Sequence, residues 1–276
     1  MGTGIAIGKE TVPPVVIPLV VEDRIVQGGI ELAGKLVPLP VGPWRILGEA
    51  PTLRMRDGST PPGPVTGFAL VHLNGATVDG AVLVDASSGS ATGGWGKPPA
   101  CTRADLPYAK IQYESDHDGS CGYVVFVKAG PEFAGPEHPA WSIARRSAEA
   151  RGWHLPSSWI MAGFRVSDPH DMVDVRYHFT PDAIVAADSR ARATEAVVRW
   201  AAMAGEVVEW GFRNRRGDGE AALPMPAAAL PGTPGDNTEP PGLWKHSLAY
   251  LREASRNLFG HLARRKGGFP GIGDEG

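Results

Sequence analysis

Cysteine is scarce in this chain. Cys101 and Cys121 are the only two among 276 residues, and neither has a second cysteine close by with which to chelate a metal. Long apolar runs are missing as well. The most apolar stretch, Val15 to Val21, contains Pro18 and is too short for a hydrocarbon core of ~30 Å. The segment Met1 to Lys9 lacks the basic start and apolar run of a signal peptide, so the chain reads as cytoplasmic or as one whose leader was removed. Charge of one sign is also absent. With 27 Lys and Arg against 30 Asp and Glu, the formal charge is −3, and no nucleic-acid partner is expected.

Motifs for bond chemistry are missing too. Gly8-Lys9 and Gly96-Lys97 have no glycine five positions earlier, and Glu10 and Pro98 stand where a phosphate loop needs Ser or Thr. Ser87-Ser88-Gly89-Ser90 is not a nucleophile elbow, and Arg216-Gly217-Asp218 is too short to carry meaning. His72 lies in an apolar run and reads as a satisfied core histidine. Trp44, Trp95, Trp141, Trp153 and Trp159 could line a groove, but such side chains more often fill a core. No cofactor is expected.

What is present is punctuation and pattern. Hydrophobic residues make up 42 %, ample for a core, and 36 Gly with 26 Pro imply many turns. Leu36–Pro40 and Trp44–Leu47 are short strands split by Gly42-Pro43. Val65–Leu73 and Thr77–Val84 flank Asn74-Gly75, a dipeptide that reaches positive φ cheaply and predicts a hairpin. A second hairpin is expected from Leu106–Tyr113 and Gly122–Val127 around a polar loop. Cys101 and Cys121 bracket its first strand. Two readings stand for them: a local disulfide closing a loop worth roughly 3 kcal/mol, or two separate buried thiols.

After Pro139 the period changes to helical. Trp141, Ala144 and Ala148 share one face of Ala140–Arg151, with Pro139 in the first turn and Gly152 at the C-terminal cap. Strands follow at Trp159–Val166 and Met172–Phe179. In the second, Val173, Val175, Tyr177 and Phe179 alternate with Asp174, Arg176 and His178, the pattern of a half-buried strand with a solvated polar face. A longer helix covers Thr194 to Trp210 and stops at Gly211. The fold class is therefore α+β: a β-rich body of antiparallel hairpins with two packed helices.

That body spans residues 1–212. Residues 213–242, with six prolines, read as a linker without a packed core. Residues 243–266 regain a helical stripe through Trp244, Leu248, Leu251, Phe259 and Leu262, and 267–276 form a flexible tail. The opposite face of that helix holds Lys245, Arg252, Arg256, Arg264, Arg265 and Lys266 against Glu253 alone. This net +5 leaves −8 for the rest. Three roles fit it: attachment to an anionic membrane surface, docking on a protein partner, or folding back onto the acidic body.

One cluster invites metal chemistry. His170, Asp174 and His178 fall close in sequence, and Asp116 or His117 could join them, giving a metal-assisted hydrolase. Arg176 between two of these ligands opposes a cation. A third class of function is a cytosolic subunit of a larger assembly.

Gly94-Trp95-Gly96, Cys101 to Leu106, Asp118 to Cys121, Gly152 to Pro156, Ala162 to Arg165 and Asp174 to Phe179 together resemble a family of proteobacterial proteins of undetermined activity, over roughly residues 30 to 212. Members start with a leader and sometimes end in a membrane segment, whose beginning Leu243 to Arg252 resembles. This chain shows neither a leader nor a completed apolar span. The resemblance implies an envelope or periplasmic setting and carries no activity. The expected function is a non-catalytic, envelope-associated binding or scaffold module.

Overall fold

A computed structural model describes residues 24–51, 65–87, 89–90, 94–115, 118–128, 138–184, 190–213, 223 and 225–226. Ten strands are present among them: β1 (Arg24–Val26), β2 (Gly29–Leu32), β3 (Lys35–Pro38), β4 (Trp44–Pro51), β5 (Val65–Asn74), β6 (Thr77–Ser87), β7 (Tyr108–Glu114), β8 (Gly119–Lys128), β9 (Ser158–Ser167) and β10 (Met172–Phe179). Three helices accompany them: α1 (Pro139–Ala150), the single turn α2 (Pro181–Ile184) and α3 (Arg190–Arg213). Eight strands form one antiparallel sheet in the order β1-β4-β5-β6-β10-β9-β8-β7, and β2 and β3 make a separate hairpin. Two meanders, β4-β5-β6 and β7-β8-β9-β10, meet where their last strands pair, with Val175 opposite Val84. The α+β reading of the body holds.

Both faces of this sheet are covered. On one, Leu70, Val82, Val84, Phe164, Val175, Tyr177 and Phe179 pack under α3 and the β2–β3 hairpin. Trp200 of α3 stands edge-on to Tyr177 and Phe179, with ring centroids 5.1 Å from each, a geometry that gains beyond area burial. On the other, Leu47, Ala69, Val71, Ala81 and Leu83 meet Trp141, Ile143, Ala144 and Ala148 of α1. The helices reach the strands closely: a Cβ on Gly48 would sit 1.9 Å from the carbonyl oxygen of Ala140.

Local chemistry explains the ends of these elements. In α1 Pro139 occupies the first turn, and His138 is the N-cap, its Nδ1 accepting from the Trp141 N–H at 3.3 Å. Gly152 follows the helix at φ +71°, the left-handed conformation a C-terminal cap needs. The predicted hairpin at 74–75 forms, but its turn lies one residue on. Asn74 still pairs with Thr77, so Gly75 and Ala76 make the two-residue loop. A bulge then leaves Asp79 without an opposite residue, because His72 faces Gly80 and Leu73 faces Val78. The second predicted hairpin also forms, β7 with β8, and Ser115 donates to the Asp118 carbonyl across its loop.

One expectation is revised. Strand β10 is not half-buried: Asp174 is 6 % and His178 1 % exposed, because Arg165 and Arg176 pair with Asp174 and Trp159 stands against His178 on the face read as solvated. Most of the 213–242 linker lies outside the described residues, and within it Leu223 is packed. It is 1 % exposed, donates to Leu39 O and accepts from Val41 N–H, adding a bridge beside Pro40. The segments 243–266 and 267–276 lie outside the described residues.

Candidate functional site

Cys101 and Cys121 form a disulfide with their Cα atoms 6.0 Å apart, so of the two readings the staple is the one realised. Cys101 sits in a 3₁₀ turn, Pro99–Thr102, and Cys121 in β8, and both sulfurs pack with Tyr123 and Met161. The bridge fastens the 94–107 stretch to the sheet next to its edge strand.

The predicted Asp/His cluster separates. Asp174 and His178 share a face of β10, as alternation requires. His170 sits instead in the exposed turn before β10, its N–H donating to Asp168 Oδ1 at 2.8 Å. At ~3.4 Å per residue, roughly 20 Å of strand divides that turn from His178. Asp116 and His117 lie outside the described residues. Among the described residues no three His, Cys, Asp or Glu side chains are grouped to hold a metal ion.

What Asp174 joins is a buried ion network on the α1 side of the sheet. Asp174 lies directly opposite Asp85 of β6 on one side and Arg165 of β9 on the other. Two carboxylates side by side repel, and two guanidiniums offset this. Arg165 meets Asp174 Oδ2 at 2.8 and 3.0 Å, and Arg176 meets Asp85 Oδ2 at 2.8 Å and Asp174 Oδ1 at 3.4 Å. The four charges sum to zero. Burial works against the charge on Arg176, yet Asp174 and Asp85 hold its pKa above the ordinary value.

Two histidines border the network and stay neutral. Burial lowers His138 to about 4, with Arg176 adding to the effect and Asp85 opposing it. Its Nε2 lies 3.4 Å from Asp85 Oδ1. His178 is pushed well below its usual value, again by burial first and Arg176 second, and stands edge-on to Trp159. A neutral His138 keeps the lone pair on Nδ1 that caps α1. The network can therefore hold geometry and sense acid. Its groups are committed to one another.

A further polar site was not legible in the sequence. At the sheet end carrying the β5–β6 turn, a cleft of about 650 Å³ is lined by Thr77, Asp79, Ser158, Thr180, Asp182 and Arg190, among others. The bulge places Asp79 there, and His72 Nδ1 bonds Asp79 Oδ1 at 2.6 Å. His72, read as a satisfied core histidine, keeps 17 % of its side chain exposed and is satisfied by this pair. The stretch 154–158 is held against the hairpin by His154 N–H to Ala76 O at 2.8 Å and Val78 N–H to His154 O at 2.9 Å. Arg190 stacks over Phe126, its Cζ 4.3 Å from the ring centroid. These residues are spread from 74 to 190, so no spacing rule could gather them. The bulge at Asp79 had no sequence signal beyond the nearby turn.

Among the described residues no helix is long and apolar enough to cross a membrane. Compared with family models, with curated proteins and with solved structures, the chain finds no match in any of the three.

Proposed function

We propose that this chain is a non-catalytic binding or scaffold module of the cell envelope, attached through its basic segment 243–266. The observation that carries the reading is the Cys101–Cys121 bridge. Such bridges persist in oxidising compartments and are rare in a reducing cytosol. The net +5 of 243–266 against −8 for the rest of the chain supports attachment to an anionic surface. The buried network supports a non-catalytic body, because Asp85, Asp174, Arg165 and Arg176 neutralise one another inside the sheet. The resemblance to a proteobacterial family whose members start with a leader supports the same reading.

Flotation with phosphatidylglycerol vesicles tests the attachment. The full chain is expected to float and to be released by high salt. Replacing Arg252, Arg256, Arg264 and Arg265 by Glu abolishes flotation. Equal, salt-insensitive behaviour of both proteins ends the membrane part. Intact mass, with and without reductant, tests the compartment: protein isolated under thiol-blocking conditions should be about 2 Da lighter than its reduced form.

A further inference from the structure

The cleft at the β5–β6 end of the sheet has the marks of a pre-organised binding site. Its volume of about 650 Å³ falls in the range of ~300–1,000 Å³ that small-molecule sites occupy. Its walls come from four separate stretches of chain: the hairpin tip, the 156–158 segment, the 180–183 turn and the start of α3. The polar groups in it are held in place. Asp79 projects from a bulge, a device that re-aims a side chain, and His72 fixes its carboxylate. Thr180 is tied by its N–H to Asp79 O at 3.1 Å and accepts from the Ala183 N–H through Oγ1 at 3.1 Å. Arg190 is steadied by its stack on Phe126.

The chemistry of the lining selects the ligand class. The cleft is lined by two carboxylates, Asp79 and Asp182, a guanidinium, Arg190, and the hydroxyls of Thr77, Ser157, Ser158 and Thr180. An apolar ligand would strip water from these charges without replacing it, at a cost. A ligand of one charge sign would meet its own sign on one wall. A neutral polyol would satisfy hydroxyls but bring no charge to answer Asp182 or Arg190. A molecule carrying an ammonium and a carboxylate on one carbon answers both signs and uses the hydroxyls as additional donors to its carboxylate.

We propose that this cleft binds a small zwitterion of the α-amino-acid type, its ammonium facing Asp182 and Asp79 and its carboxylate facing Arg190. The inference rests on the binding-module reading and names the ligand class for it. It does not depend on how the chain is attached, so flotation and cleft binding succeed or fail separately.

Saturation-transfer NMR on the full chain tests it, with L-alanine, L-lysine and L-glutamate as probes and D-glucose as the neutral comparison. Saturation transfer to at least one amino acid and none to glucose is expected. Asp182→Asn and Arg190→Gln should each weaken that binding about tenfold or more, the loss of one charge-assisted contact. Both side chains are exposed, so the variants keep the fold, which an unchanged melting temperature verifies. Asp79→Asn, which also removes the partner of His72, should weaken binding as well. No transfer to any amino acid overturns the proposal. So does transfer to glucose alone, or binding that both variants leave unchanged.

Discussion

Arg176→Met is the sharpest perturbation this structure offers. The side chain is largely buried and bridges Asp85 Oδ2 at 2.8 Å and Asp174 Oδ1 at 3.4 Å. Methionine fills much of the same volume without charge. What remains is two carboxylates directly opposite each other on adjacent strands, with Arg165 bonded to Asp174 and to the Trp95 carbonyl oxygen. Removing one partner from a buried ion pair costs ~3–5 kcal/mol, because the other is left uncompensated. Arg176 keeps 19 % of its side chain exposed, so the low end applies, about 3 kcal/mol. For a body of this size each kcal/mol moves Tm by ~2–4 °C, a drop of roughly 6–12 °C. The control is Arg199→Met, which breaks an exposed i,i+4 pair with Glu195 and should cost under ~0.5 kcal/mol. Adding Asp85→Asn to Arg176→Met removes one of the opposed charges and should restore at least ~1 kcal/mol. Urea denaturation of the wild type, Arg176→Met, Asp85→Asn, their double variant and the Arg199→Met control gives the coupling directly. If Arg176→Met costs no more than Arg199→Met, or if the double variant is simply additive, the network is solvated and the reasoning fails.

Other outcomes follow from neighbouring features. His138 titrates at about 4 in the fold and near 6.5 when unfolded, so the unfolded chain binds the extra proton between those values. Stability from this group is complete above pH ~6.5 and falls as pH drops toward 4, by about 2–3 kcal/mol at pH 4.5. His138→Asn, which can still cap α1, should flatten that slope in urea titrations at pH 7 and 4.5. Replacing both Cys101 and Cys121 with Ser should lower stability by roughly 3 kcal/mol, and reductant should bring the wild type down toward the variant while leaving the variant unchanged. Gly48→Ala would drive a Cβ into the Ala140 carbonyl and should cost ~1–3 kcal/mol by thermal melt. Ala33 turns the β2–β3 hairpin at φ +49°, where alanine is strained and asparagine is favoured. Ala33→Asn should therefore raise stability by ~0.5–1 kcal/mol.

Local chemistry was readable from the residues, and long-range pairing was not. The alternation of Met172–Phe179 located β10 to the residue, since a two-residue period is written in the side chains themselves. Pro139 and Gly152 framed α1 for the same reason. The turn at 74–75 slipped by one because Asn-Gly and Gly-Ala both supply positive φ at Gly75. The choice between them depended on where β6 bulges. That bulge lies at Asp79, and it sets the cleft. The reading of Asp174, Arg176 and His178 as a solvated face failed on a fact no window of sequence contains. Asp85, 89 residues before Asp174, arrives opposite it only when the two meanders join, and His138 at the N-cap of α1 then stands beside Asp85. A strand of charges looks solvent-facing until its counter-charges are placed. The same limit governed the metal cluster: His170 and His178 are near in number, but a strand is extended, so proximity along it becomes distance. Closeness in sequence converts to closeness in space only across a turn, and here the turns delivered Asp79 to His72 rather than one histidine to another.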